Sequence, residues 1–128
     1  MPWTFEITSG SILNPDGSFA ASAYSGGDKG QRPDGVDNVS DEATKNVGPL
    51  PEGIYTLGTP VDHSQLGPFA IPLIPDPSNQ MYGRGSMYIH GDTAAMNHSA
   101  SEGCIITNRN TRNAMWVSSD HELRVVAA

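Results

Sequence analysis

A single cysteine, Cys104, stands fourteen positions after His90, and the segment between them holds an aspartate, Asp92, and a second histidine, His98. A lone cysteine is most often a small buried hydrophobe, but an imidazole close by changes its chemistry. The ring takes the thiol proton, the thiolate attacks a carbonyl, and the imidazolium returns the proton to a leaving amine. Asp92 could orient the ring as the third member of a triad, or serve only as a turn residue in Gly91-Asp92-Thr93. Gly103, immediately before the cysteine, permits an unusual turn or a close ligand approach. Backbone N–H groups at such a turn are natural donors to a tetrahedral oxyanion. Arg84, in Gly83-Arg84-Gly85-Ser86, is either a solvated turn residue or a planar fork for a substrate carboxylate. His98 and Ser99 could line the site, while His63 and His121 carry no local signature and read as surface residues. His90, Asp92, His98 and Cys104 are also all potential metal ligands, although their spacing follows no zinc pattern.

These residues need a frame that brings two of them together. His90 ends the alternating run Met87-Tyr88-Ile89, a short strand placed centrally, and Cys104 opens Cys104-Ile105-Ile106-Thr107, a second strand. A polar loop with one helical turn over Thr93 to His98 joins them. Upstream, Trp3, Phe5 and Ile7 alternate with Thr4, Glu6 and Thr8 as a half-buried strand, and Ser11 to Asn14 could continue the sheet. Asn14-Pro15-Asp16-Gly17 turns the chain into Ser18 to Tyr24. Asp28 to Gly48 is long and polar, with a possible helical turn from Ser40 to Lys45 capped by Ser40; loops of this length are either functional or disordered. Ile54 to Leu57 follows the stiff turn Gly48-Pro49-Leu50-Pro51-Glu52-Gly53. Phe69 to Ile74 is extended, and Pro72 within it argues for an edge or a bulge. Asn108 to Ser118 has helical composition with an apolar face of Ala114, Met115 and Val117, and Glu122 to Val126 closes as a strand with Leu123 and Val125 on one face. About seven short strands and one or two short helices make a mainly β domain, a sandwich or a partly closed barrel.

The 128 residues make one domain, 1–128. Fourteen glycines, ten prolines and only 16% charged residues favour strands joined by turns. The net charge of −7 leaves no basic footprint for nucleic acid and no attraction to anionic lipid. No stretch approaches the roughly 20 apolar residues of a membrane span, and Met1-Pro2-Trp3-Thr4-Phe5-Glu6 is not a Sec-type signal peptide.

Ile89-His90-Gly91, followed by Ser101-Glu102-Gly103-Cys104-Ile105, resembles the signature of YkuD-type L,D-transpeptidases, the enzymes that remodel bacterial peptidoglycan. Glu102 stands where that family has a second histidine, and Ile106 where an arginine often follows. With these departures, His90-x-Asp92, six residues, then Ser99-x-Ser101-x-Gly103-Cys104-Ile105 resembles the L,D-transpeptidase-like effectors of type VI secretion systems. Ala23-Tyr24-Ser25-Gly26 and Gly48-Pro49-Leu50-Pro51-Glu52-Gly53-Ile54-Tyr55 look like that group's N-terminal half.

The resemblance implies a mainly β, YkuD-like fold with cysteine and histidine at one cleft. It implies Cys104, His90 and Asp92 as catalytic residues, with Gly103, Ser101, Ser99, Arg84 and Gly91 around the substrate. It also implies peptidoglycan stem peptides as substrate, no cofactor, delivery by the type VI machinery from the producer's cytoplasm to a rival's periplasm, and a cognate immunity protein. The long 28–48 loop would cap the cleft or meet that partner. Three other readings of the same residues stay open: a non-catalytic cell-wall or partner-binding module, in which Glu102 marks lost chemistry; a metal-dependent peptidase; and a housekeeping or phage L,D-transpeptidase.

Overall fold

In the computed structural model, residues 2–27, 33–44, 47–85, 87–91 and 103–128 are described. Among them, ten strands and one helix make up the fold: β1 (Trp3–Glu6), β2 (Ser11–Leu13), β3 (Phe19–Ser22), β4 (Tyr24–Ser25), β5 (Gly53–Leu57), β6 (Val61–His63), β7 (Gly67–Pro75), β8 (Tyr88–His90), β9 (Ile105–Ile106), α1 (Arg109–Val117) and β10 (Glu122–Val126). The strands run in the order β3-β2-β1-β10-β5-β7-β8-β9-β4, with β6 added alongside β7. The fold is mainly β, as expected, and the sheet curls without closing. Its two end strands, β3 and β4, are separated in sequence by Ala23 alone. The Ala23 N–H bonds to the Gly10 carbonyl at 2.9 Å, so the chain leaves one end of the sheet and joins the other within a single residue.

The alternation of β1 survives intact. Trp3, Phe5 and Ile7 are buried, and β1 pairs in parallel with β10, so that Trp3 lies beside Leu123 and Phe5 beside Val125. Packing these rows against Ile12, Leu50, Ile71 and Met115 gives one core. Each fully buried Leu, Ile or Phe in it contributes about 1.5–3 kcal/mol. The turn at Asn14 to Gly17 forms as read, with the Gly17 N–H on the Asn14 carbonyl and φ of 90° at the glycine, a value that suits a residue without a Cβ.

Several expectations are corrected. The strand expected from Ser18 to Tyr24 is two strands facing different partners, β3 on β2 and β4 on β9. Together with β6, which carries no alternation, and with Ser11–Leu13 a strand of its own, this brings the described strands to ten against about seven expected. Pro72 lies mid-sheet rather than at an edge or a bulge, paired with Tyr88. Its missing N–H costs little because it falls where β5 gives way to β6. The Pro72 carbonyl accepts from the N–H of Gly58, just past β5, on that same side. The turn expected at Ser40 to Lys45 is a 3₁₀ turn at Val39–Asp41, and its cap is Asn38, whose side chain accepts from the Ser40 N–H, not Ser40 itself. A second 3₁₀ turn spans Pro33–Gly35.

Helix α1 begins where expected, with the Asn108 side chain accepting from the Thr111 N–H at 2.7 Å. Its inward face differs from the expected one. Thr111, Arg112 and Met115 are buried, while Val117 is 70% exposed and Ala114 faces out. The helical turn expected over Thr93 to His98 lies outside the described residues. No helix among the described residues is long and apolar enough to cross a membrane.

Candidate active site

The strands that end at His90 and begin after Cys104 are direct neighbours. β8 and β9 pair in parallel with Ile89 beside Ile105 and His90 beside Ile106, and the Thr107 N–H continues the ladder to the His90 carbonyl at 3.1 Å. Continuing the register backwards places Cys104 level with Tyr88 and Gly103 level with Met87. A Cβ on Gly103 would indeed stand 3.2 Å from Met87 Cε. Cys104 and His90 therefore project from one face of the sheet, on adjacent strands about 5 Å apart and displaced by two residues, about 7 Å, along them. The register therefore sets thiol and imidazole diagonally across neighbouring strands.

His90 is 2% exposed, and its Nδ1 lies 2.9 Å from the Gly91 carbonyl oxygen. A carbonyl only accepts, so Nδ1 is the protonated nitrogen and Nε2 is left as the basic one. The ring is thus oriented by a main-chain oxygen one residue away. The sequence offers Asp92 for this role, and Asp92 lies outside the described residues. A backbone acceptor leaves no mark on a sequence, so residue types alone do not reveal it.

Cys104 is half-buried against the edge of the core and takes part in no disulfide. The residue before it is fixed from two sides. Gly103 has φ of 130° and passes so close to Arg84 that any Cβ would collide with Arg84 Nη2. On the other side its carbonyl accepts from the Ser25 hydroxyl at 3.0 Å. Ser25 is fully buried, and its Oγ also accepts from the Leu50 N–H at 2.8 Å. The Ser25 main chain exchanges both its bonds with Asp37, its N–H to Asp37 Oδ1 and its carbonyl from the Asp37 N–H, each at 2.9 Å. Burial pushes the Asp37 carboxyl up to about 7, the Ser25 N–H pulling in the opposite sense. Ser25 sits in the quoted motif Ala23-Tyr24-Ser25-Gly26, and that is the only signal in the sequence pointing to it.

Arg84 is neither solvated nor in an open turn. It is buried, with Nη1 on the carbonyls of Glu42 and Pro49, both at 2.7 Å, and Nη2 on that of Gly48 at 3.0 Å. Burial lowers the affinity of its guanidinium for the proton, and Tyr55, Cys104 and Glu42 act to raise it. That electrostatic link places the guanidinium's positive charge near the thiol. Through these bonds the C-terminal part of the long polar loop is fastened beneath Gly103. The Glu42 carboxylate adds to the fastening by accepting from Tyr82 Oη and from the Glu52 N–H.

On the far side of His90, Arg112 of α1 lies against Gly91, its Nη2 3.2 Å from where a Cβ would stand. His63 and His121, expected at the surface, are half-buried against aromatic rings. His63 meets Tyr88 edge-on at 5.3 Å, and His121 stacks on Trp116 at 4.3 Å. Asp92, His98, Ser99, Ser101 and Glu102 lie outside the described residues, so two members of the possible metal set do too. Among the described residues no three His, Cys, Asp or Glu side chains gather to hold a metal.

Comparison with known proteins agrees with this fold. The family model described as Tlde1 domain matches residues 20–128. No curated protein matches the sequence. Among solved structures, the L,D-transpeptidase from Xylanimonas cellulosilytica superposes with a TM-score of 0.54 at 15% identity, covering 97% of this chain and 59% of that one. This chain therefore spans less than two thirds of that protein, and the likeness is one of fold. With most of its length matched, the chain belongs to the Tlde1 domain family, a family of L,D-transpeptidase-like effectors of type VI secretion systems.

Proposed function

We propose that the protein is an antibacterial cysteine L,D-carboxypeptidase that removes the terminal D-alanine from stem tetrapeptides, with L,D-transpeptidation and D-amino-acid exchange as other fates of the same intermediate. The observation that carries this reading is the diagonal pairing of Cys104 and His90 on adjacent parallel strands, with His90 Nδ1 committed to the Gly91 carbonyl. Nε2 takes the Cys104 proton, and the positive charge of Arg84 favours the thiolate so formed. The thiolate attacks the carbonyl of the third residue, the L-centre of meso-diaminopimelate. Main-chain N–H groups at the Gly103–Cys104 bend receive the oxyanion. The tetrahedral intermediate collapses, the C–N bond breaks, and His90 gives its proton to the departing D-alanine amine. The acyl group stays on sulfur as a thioester. Water then releases the tripeptide, a free D-amino acid gives exchange, and a neighbouring stem amine gives a cross-link.

Asp92, as a carboxylate sharing the His90 Nδ1–H with the Gly91 carbonyl, and Gly91, Ser99, Ser101 and Gly103 along the substrate, complete the proposed site. Arg84, expected to hold a substrate carboxylate, is better suited to act on the thiol through its charge and to pin the loop beneath it. Family membership supports the wider setting: synthesis in the producer's cytoplasm, delivery by type VI machinery, action in the periplasm of the target cell, and an immunity protein that blocks the cleft. The test is mass spectrometry of purified tetrapeptide muropeptides incubated with wild type and with Cys104→Ala, with and without a free D-amino acid. Loss or replacement of one alanine in the wild type alone is expected. An unchanged substrate in the presence of folded wild type would defeat the reading.

A further inference from the structure

We propose that Arg112 is a binding site for the terminal carboxylate of the stem peptide, on the leaving-group side of His90; the proposal rests on the hydrolytic reading above. Arg112 is 5% exposed. Its guanidinium makes two hydrogen bonds, both from Nη1, to the carbonyls of Pro68 and Phe69 at 3.0 Å. Nε is buried and has no hydrogen-bond partner among the described residues. Among the described residues no carboxylate neutralises the charge. Burial lowers the guanidinium's affinity for its proton, and the neighbouring cation Arg109 lowers it further. A buried cation with neither counter-charge nor full hydrogen bonding is costly, and proteins ordinarily pair such groups.

The helix makes the imbalance worse. Arg109 and Arg112 both lie near the N-terminus of α1, where the macrodipole is positive, and no acidic side chain occupies the first turn. A bound anion would neutralise the cation and complement the helix end together. The chain as a whole carries a net charge of −7, so an anionic substrate needs such a local cation in order to be accepted.

The location suits one particular anion. Arg112 Nη2 abuts Gly91, and the Gly91 carbonyl is the group that orients His90. In the proposed reaction His90 protonates the amine of the departing D-alanine, and that amine is one carbon from the D-alanine carboxylate. A cation one residue beyond the imidazole is where that carboxylate falls. Arg84, the other buried arginine among the described residues, lies against Gly103 instead and gives Nη1 and Nη2 to the carbonyls of Glu42, Pro49 and Gly48.

The test separates binding from chemistry. Affinities of Cys104→Ala would be measured by calorimetry for a disaccharide tetrapeptide with its natural terminal carboxylate and for the same molecule with a terminal amide. The carboxylate form is expected to bind about 10- to 100-fold more tightly, the range for a charge-assisted pair. In Cys104→Ala/Arg112→Gln the two forms should bind alike. Arg112→Lys, which keeps charge but loses the fork, should retain only part of the preference, and it provides the same comparison if the glutamine variant does not fold. Equal affinity for both ligands before Arg112 is changed overturns the proposal, as does a preference that survives both substitutions, or no binding of either ligand. A carboxylate preference that depends on Arg112, in a protein whose wild type releases no D-alanine, would uphold the site and defeat the catalytic reading instead.

Discussion

The two ends of the sheet are built on different principles. From β3 to β5 the strands run three to five residues and bury alternate side chains, with Trp3 and Phe5 on β1, Leu123 and Val125 on β10, and Tyr55 and Leu57 on β5. From β8 to β4 they shrink to two or three residues and alternation disappears. Ile105 and Ile106 are both buried, and so are Tyr24 and Ser25. Polar side chains set position there instead: Ser25 on Gly103, Arg84 on three loop carbonyls, and Thr107 Oγ1 on the Ser22 carbonyl at 2.9 Å. An apolar ladder supplies bulk stability and absorbs small shifts. A hub of buried hydrogen bonds holds a backbone to within a fraction of an ångström, which is what a nucleophile and its base demand.

The widest contrast should come from one substitution at each end. Leu123→Ala removes a fully buried side chain and should cost about 2–5 kcal/mol in urea unfolding. Turnover per folded molecule should stay unchanged. Gly103→Ala forces a Cβ into Arg84 at a φ of 130° and should lower D-alanine release by about 100-fold or more even where the protein stays folded. Equal losses of turnover in the two variants would erase the division between the ends.

Ser25→Ala sharpens it. The change strands the Gly103 carbonyl and the Leu50 N–H, both buried, at a cost of about 2–4 kcal/mol. Because Ser25 acts through the Gly103 peptide, kcat should fall about 10-fold with KM nearly unmoved. A rise in KM alone would assign Ser25 to substrate instead.

The smallest effect concerns Asp37, which anchors the long loop to Ser25. Its carboxyl is raised from 3.8 to about 7 by burial, so the folded chain holds that proton more tightly than the unfolded chain does. The resulting stabilisation is complete below about pH 4 and is lost as pH rises through about 7. Asp37→Asn should flatten this dependence, so that the wild-type Tm falls relative to the variant by a few degrees, roughly 2–5 °C, over that window. Parallel Tm profiles for the two proteins would show that Asp37 does not titrate as a buried group.

The same division decides what could be read from the residues alone. The ladder end was legible because its determinants are local: the period of two in Trp3, Phe5 and Ile7, the Pro-Asp-Gly turn, the Leu123/Val125 face and the helical composition from Asn108 to Ser118. The site end was legible only as a pair of strand ends bearing a thiol and an imidazole, and as a motif. What holds them there comes from residues far apart in sequence, 78 positions from Ser25 to Gly103 and 42 from Glu42 to Arg84. No periodicity encodes such pairings. Pro72 misled for the same reason, since the gap that tolerates it is made by Gly58, and the inward turn of Arg112 defeats any apolar-face reading of α1.

The single-residue link at Ala23 carries a kinetic consequence. Because β3 and β4 occupy opposite ends of the strand order, β4 docks only on β9, about eighty residues later, while β1 waits for β10 near the other terminus. Both pairings close very long loops before any contact repays the entropy, so folding should be slow for a chain of this size, on the order of milliseconds to seconds. The strand bearing the thiol gains its last neighbour only when β4 arrives. The nucleophile is therefore among the last parts of the molecule to be assembled, and a chain halted short of β4 docking would carry Cys104 without the Ser25 bond that sets its position.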